Sequence, residues 1–310
     1  MEIKFIREDA DFEKLIKSIC DLFLTEFPGE LSGIYLLGSR KAGADIPTSD
    51  IDLAVVFKGP FVEEKNRAAR EFSKSLGSLS PVMLDITLLA EDDARMGIRP
   101  YLRLGRLLAG VDVLANCPLK PAPALIGFYA YSALFFMWVI RGRPDELKHP
   151  LSYPAADQFY RGYDIRGVAT GENKFRPGFN TFVNLVVSIA NFRLAAQAGE
   201  FVPSKSRTVE QYRRHLPNDP WRGLVEDVYE LGRTRWGGRL PESEPDRSRM
   251  AARCQEALAF ENDCLGTCLL KLPDLMAVED AELNRWMQGV LSRVRSDSPA
   301  HSAAIAAALP

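Results

Sequence analysis

In the first third of the chain, apolar runs of strand length alternate with stretches whose apolar residues recur at helical spacing. The pattern predicts a helix over Phe12–Phe27, strands near Gly33–Leu37 and Ile51–Phe57, a helix over Val62–Leu76 and a third strand over Met83–Leu89. LGRLLAGVDVLAN then reads as a helix ending at Gly110, where glycine readily stops a helix, followed by a short strand at Val111–Leu114. PLKPAPA marks a linker. Beyond it the pattern turns helical, over Ala124–Arg141, Phe179–Ala198, Thr208–Leu216, Trp221–Trp236, Asp246–Leu272 and Val278–Val294. Glycines and prolines near Arg143–Pro154 and Gly162–Pro177 make long loops, which in a compact domain often serve function. The expected fold is α+β: a small mixed-sheet domain over 1–117, then an all-α helical bundle over 122–295. The small-residue-rich end, 296–310, is expected to fray. There is no internal repeat.

Composition changes this picture little. A chain of 310 residues exceeds the usual single-core size, and 46% hydrophobic with 26% charged residues is globular. The net charge of −2 argues against a dominant nucleic-acid or membrane-surface role. Pro121–Ile140 carries no charge and approaches the roughly 20 residues of a membrane span. Its two prolines, Gly127, Tyr129, Tyr131 and Ser132 lower its hydropathy, no second span accompanies it, and a helix buried on all sides is apolar all round too, so it is expected in a core. The five cysteines contain no C-x-x-C pair and the three histidines are scattered, which gives zinc and iron–sulfur centres no support. Cys264 and Cys268 share a helix face and are expected as free buried thiols. MEIKFIREDADFEKL is charged from its start and lacks the apolar core of a signal peptide, so a cytoplasmic location is expected, with no membrane partner.

The chemistry concentrates in LLGSRKAGADIPTSDIDLAV, Leu36 to Val55. Asp50 and Asp52 are two residues apart in an apolar run, and alternate side chains of a strand share a face. Two carboxylates side by side repel unless something positive lies between them. A divalent metal meets that need, and Mg²⁺ is usually held by one or two carboxylates plus substrate phosphates. Upstream, Gly38 and Ser39 end the apolar run GIYLLGS, where a glycine lets the backbone turn close to a ligand and a serine hydroxyl can face a phosphate. A polar loop with Gly43 and Pro47 joins the two pieces. A third carboxylate, Asp85, lies inside the β-favouring run PVMLDITLLAEDD. Asp45, Glu91, Asp92 and Asp93 read as loop and surface acids.

Strand, GS, polar loop and SDIDLAVVF in this order resemble the nucleotidyltransferase superfamily of DNA polymerase β, whose pattern is GS, a spacer and D-x-D. The resemblance implies that an NTP binds at Gly38 and Ser39, with Ser49 beside the acids, and that Asp50 and Asp52 take Mg²⁺. It implies that Asp85 is either a third metal ligand or the general base on an acceptor hydroxyl. LDITLLAEDD, LLAGVDVL and GFNTFVNLVVSIANFRLAAQAGEFVPSKSRTVEQYRRHLP further resemble the bacterial adenylyltransferases that inactivate streptomycin and spectinomycin. There a long helix ends at a glycine shortly before a lysine that reaches the triphosphate, which makes Lys205, after Gly199 and Ser204, the matching residue. Asp85 stands where that group typically carries a glutamate.

The resemblance therefore implies ATP as co-substrate, Mg²⁺ as cofactor, pyrophosphate as product, and an aminoglycoside-like small molecule as acceptor, expected between the two domains. Such a polycation calls for an acidic, partly aromatic surface, which Asp157, Tyr160, Tyr163, Asp164 and Glu172 could supply. A tRNA or protein acceptor stays open as an alternative, with Arg207, Arg213, Arg214, Arg222, Arg233, Arg235 and Arg239 available. Glu210, Asp219, Glu226, Asp227 and Glu230 interleave with these arginines and could pair with them. A non-catalytic nucleotide-binding module is the third reading.

Overall fold

The computed structural model describes residues 10–41, 49–80, 83–171 and 174–309, and divides the chain into two units, Met1–Lys120 and Pro121–Pro310. The first unit runs α1 (Ala10–Glu26), β1 (Leu31–Leu36), α2 (Gly38–Lys41), β2 (Ile51–Phe57), α3 (Glu63–Leu79), β3 (Leu84–Ala90), α4 (Glu91–Met96), α5 (Pro100–Arg103) and β4 (Arg106–Gly110). Its sheet has the order β3-β2-β1-β4, with β2 and β3 parallel and the other two pairings antiparallel. A parallel pair needs a long crossover, and α3 provides it.

Every residue of β1 is buried, as is almost all of β2, because both faces of the sheet are covered. On one face Leu53, Val55 and Phe57 pack with Phe12, Ile16, Ile19 and Phe23 of α1 and Ala69 and Leu76 of α3. Phe72 meets Phe23 edge-on at 5.0 Å and Phe27 at 5.6 Å. On the other face Tyr35, Leu37, Ala54 and Val56 pack with Ala94, Ile98, Leu102, Leu114 and Cys117. Asp52 shares the side of Ala54 and Val56, so it continues this second face beyond its apolar part.

One segment departs from its sequence pattern. The expected helix ending at Gly110 is instead β4, antiparallel to β1, and the expected strand Val111–Leu114 is irregular chain leading into a turn at Ala115–Asn116. Pairing at the sheet edge overrides the helical pattern of LGRLLAG. Gly110, at φ 89°, lies so close to β1 that an added Cβ would come within 2.3 Å of the Ser32 carbonyl oxygen. The amides of Val113 and Leu114 donate to the Tyr35 hydroxyl at 2.7 and 3.2 Å, so side-chain bonds replace a ladder there.

The second unit comprises α6 (Ala122–Ile140), β5 (Leu147–His149), β6 (Val168–Gly171), β7 (Lys174–Arg176), α7 (Asn180–Arg193), α8 (Lys205–His215), α9 (Arg222–Tyr229), α10 (Glu244–Leu270), α11 (Leu272–Met276), α12 (Ala281–Leu291), β8 (Val294–Ser296) and α13 (Pro299–Ala308). α7 and α9 each end in a π-helical turn, Leu194–Ala198 and Glu230–Arg235. The apolar helix α6 lies in this unit's core, with Leu125, Ala130, Ala133, Leu134, Met137 and Ile140 buried against α7 and its neighbours. It is, among the described residues, the one helix long and apolar enough to cross a membrane.

Two short strand pairs interrupt the helices: β5 with β8, and β6 with β7 inside the expected loop Gly162–Pro177. The segment expected to fray is ordered instead: β8 pairs with β5, and α13 buries Ile305 in the core, so tertiary contacts hold what composition alone would release. All five cysteines are free and buried. The chain from α6 to α7 is held by a buried charge: Arg141 bonds Glu261 bidentately at 2.5 and 3.2 Å, and the Tyr163 hydroxyl donates to the same carboxylate at 2.5 Å. Arg141 also donates to the Ser152 carbonyl, and Asn262 accepts from the Leu151 amide at 2.6 Å.

Candidate active site

β1 ends by handing the chain to a turn that only glycine can make. Gly38 has φ 67°, and a Cβ built on it would lie 1.8 Å from Oδ2 of Asp52 and 2.7 Å from its Cγ. The Asp52 carboxylate thus occupies the space that any other residue at 38 would fill. The Leu37 amide donates to the Asp52 carbonyl at 2.8 Å, which fixes the backbone of β2 against the end of β1. Ser39 donates to the Ser49 hydroxyl at 3.1 Å, joining the turn to the segment that carries the acids.

Asp50 and Asp52 are both half-buried. Across the parallel pair, Asp52 is in register with Asp85, and Ile51 is in register with Leu84. Residues in register on neighbouring strands lie about 4.8 Å apart and point the same way. All three sequence-nominated aspartates are therefore carried to the same end of one sheet face. Asp85 is exposed as a residue, yet protein atoms crowd its carboxyl closely enough that loss of water raises its pKa above the ordinary carboxylate value, and the negative Asp50 raises it further. Among the described residues no three His, Cys, Asp or Glu side chains close into a group able to hold a metal by themselves. Two adjacent carboxylates offer hard oxygens of the kind Mg²⁺ takes when substrate phosphates complete its shell, so the donor set fits with Asp50 and Asp52 as protein ligands.

Arg40 is the participant that sequence reasoning missed. It is buried, lies over the Phe12 ring at 5.1 Å, and donates to the carbonyls of Asp50 at 3.1 Å and Ser49 at 3.0 Å. A charged side chain two residues beyond Gly38 reads as a loop residue; an arginine between a glycine turn and an acid pair was the only signal. Glu91 is occupied by its neighbours Ser32 and Arg95. The Ser32 hydroxyl donates to it, Arg95 bonds it at 2.5 Å, and the two, the Ser32 bond foremost, hold its pKa below the ordinary value. Gly43, Asp45 and Pro47 lie outside the described residues.

In the second unit, Lys205 opens α8, whose N-cap Ser204 accepts from the Arg207 amide at 3.4 Å. The aromatic acceptor candidates are core residues instead: Tyr163 is fully buried on Glu261, and Tyr160 packs edge-on to Phe159 at 4.7 Å and Phe179 at 4.9 Å. Asp157 is exposed, and Glu172 lies outside the described residues. Asp164 is half-buried, its pKa raised by burial, and its buried Oδ1 has no hydrogen-bond partner among the described residues. Several of the interleaved charges pair: Arg213 with Glu226 at 2.9 Å, Arg235 with Asp246 at 2.9 Å, and Asp227 with Arg249 and Arg253 at 2.5 and 2.8 Å.

The mixed four-stranded sheet thus presents a GS turn and three aspartates at one end. Residues 13–103 match the family model described as nucleotidyltransferase domain, which supports reading the protein as a nucleotidyltransferase enzyme. Among solved structures the chain is similar to the spectinomycin adenyltransferase AAD(9) from Enterococcus faecialis with ATP and spectinomycin, at 13% identity and a TM-score of 0.41 over 79% of this chain and 98% of that one. No curated protein sequence matches the chain.

Proposed function

We propose that the protein transfers AMP from ATP, in the presence of Mg²⁺, to a hydroxyl of a small polyhydroxylated acceptor and releases pyrophosphate. The observation that carries this reading is the Asp52 carboxylate seated against Gly38 with Asp85 in register beside it. The GS turn offers backbone amides and the Ser39 and Ser49 hydroxyls to the triphosphate. Asp50 and Asp52 hold the cation, which when bound supplies positive charge for the phosphates. Asp85 accepts the proton of the acceptor hydroxyl as its oxygen bonds the α-phosphorus and the bond from that phosphorus to the β-phosphate oxygen breaks. As in phosphoryl transfer generally, the protein contributes chiefly positioning and electrostatics. A small acceptor is favoured over RNA because Arg213, Arg222 and Arg235 already face Glu226 and Asp246.

The test is pyrophosphate release from ATP against a panel of aminoglycosides and other polyols, with tRNA and protein pools as the contrasting arms. Asp50→Asn and Asp52→Asn should each abolish release while the fold stays intact. Asp85→Asn should keep Mg²⁺·ATP affinity within a few-fold yet lower turnover by the roughly 10² to 10⁴ typical of a lost general base. Parallel loss of nucleotide binding in Asp85→Asn would make Asp85 a metal ligand instead, and full activity in the Asp50 and Asp52 variants would sink the reading.

Lys205 is assigned to the triphosphate on its motif. Lys205→Ala should weaken ATP binding by about 1.5 to 3 kcal/mol, the range of a hydrogen bond to a charged group. Calorimetry at fixed Mg²⁺ reads this directly; an unchanged affinity returns Lys205 to the solvated surface.

A further inference from the structure

α7 and its terminal π turn end at Gly199, which at φ 69° turns the chain back so that Glu200–Pro203 runs beside α8. Between them lies a concavity of about 340 Å³ lined by Glu200, Phe201, Val202, Pro203, Arg207, Gln211, Arg214 and His215. Its wall is fixed from beneath, where the Tyr129 hydroxyl donates to the Val202 carbonyl at 2.8 Å. Two features separate it from an ordinary surface hollow. Among the described residues the guanidinium groups of Arg207 and Arg214 make no ion pair or hydrogen bond, although the adjoining Arg213 is bridged to Glu226 and Arg193, Arg235, Arg249 and Arg253 all meet acids. Both guanidinium groups also belong to one hollow, with the His215 imidazole as a third nitrogen donor.

The one acid of the wall lies beside that imidazole. Glu200 lies 3.6 Å from Nε2 of His215, which also meets Oε1 of Gln211 at 3.1 Å. Nor is this the side of α8 that bears Lys205. At about 100° per residue, Arg207, Gln211, Arg214 and His215 fall roughly 180° to 280° around the helix from Lys205. Thr208 and Tyr212, buried in the unit's core, lie between that face and Lys205, and the buried Val209 lies just beyond Lys205.

We propose that this hollow is a second anion site, separate from the triphosphate lysine, that binds a small phosphate monoester. Paired guanidinium groups match the oxygens of a phosphate bidentately, while Phe201 and Pro203, both half-buried, offer an apolar edge to the group esterified to it. A free phosphate ion and a monoester share the anionic chemistry, and the apolar edge favours the ester.

The experiment uses the full-length protein and the three histidines of the chain as reporters. His215 is assigned by comparison with His215→Gln, and its imidazole carbon-bound proton is followed by NMR at constant pH and ionic strength. The titrants are inorganic phosphate and phenyl phosphate, against chloride. The expected result is a saturable shift of His215, without one at His149 or His301, tighter for phenyl phosphate than for phosphate by several-fold. In the Arg207→Gln/Arg214→Gln variant the apparent Kd should rise at least tenfold. Since neither arginine takes part in the transfer chemistry, basal pyrophosphate release should be unchanged; failure of the transfer reading would leave this shift in place. The proposal is overturned if His215 does not shift saturably, if the shift survives in the double variant, or if only a single-stranded RNA oligonucleotide produces it.

Discussion

Gly38→Ala is expected to lower nucleotidyl transfer by at least a hundredfold, the order of loss that an ångström of misplacement near the chemistry can cause. Two separate effects meet at this residue. The left-handed conformation at φ 67° costs a residue with a Cβ about 1 to 2 kcal/mol. The Cβ would also sit 1.8 Å from Oδ2 of Asp52, so the carboxylate must rotate away or the turn must open. Gly29 separates the two effects: its φ is 75°, but a Cβ there meets nothing within 4 Å. Gly29→Ala should therefore lose comparable stability, read as a denaturation midpoint, and keep its activity. Parental turnover in Gly38→Ala would mean that the carboxylate position seen here is not the working one.

Glu261→Ala should destabilise the second unit by about 3 to 5 kcal/mol, the range for breaking one side of a buried ion pair. Glu261 is 1% exposed and Arg141 is nearly as buried, so the substitution strands a guanidinium in the core and takes the acceptor from the Tyr163 hydroxyl. Replacing both partners by apolar residues of similar volume, Arg141→Met with Glu261→Leu, should cost less than Glu261→Ala alone, since no charge is left unpaired. Urea unfolding of the three variants decides this. If the double variant is the least stable, the pair is held by more than mutual charge satisfaction.

The parts of the fold legible in the sequence were those where one periodicity dominated. IDLAVVF is a strand bounded by turn residues, and its alternation already put Asp52 with Ala54 and Val56 and opposite Leu53 and Val55. Arg106–Gly110 was misread because Leu107 faces one core while Leu108 and Ala109 face the other, so the apolar run carries no period. The tail was misread because composition does not report a pairing with β5, nearly 150 residues away in sequence. In the site, Gly38, Asp50, Asp52 and Asp85 were legible from residue type and spacing. Arg40 was not, because its role is set by the Phe12 ring and two carbonyls that no local pattern brings together. Tyr160 and Tyr163 looked like surface for an acceptor since tyrosine is at home in either place, and burial decided the matter.

The bed on which Arg40 rests makes the first helix an accessory to the chemistry. Phe12 lies near the start of α1, where truncation to obtain a minimal sheet would naturally cut. A shortened protein without Phe12 could keep its strands and still lose the cation's footing, freeing the Ser49 and Asp50 carbonyls that Arg40 tethers. The outermost helical turn thus acts as the keystone of a loop it does not touch in sequence, and fragment design for this enzyme should start upstream of it.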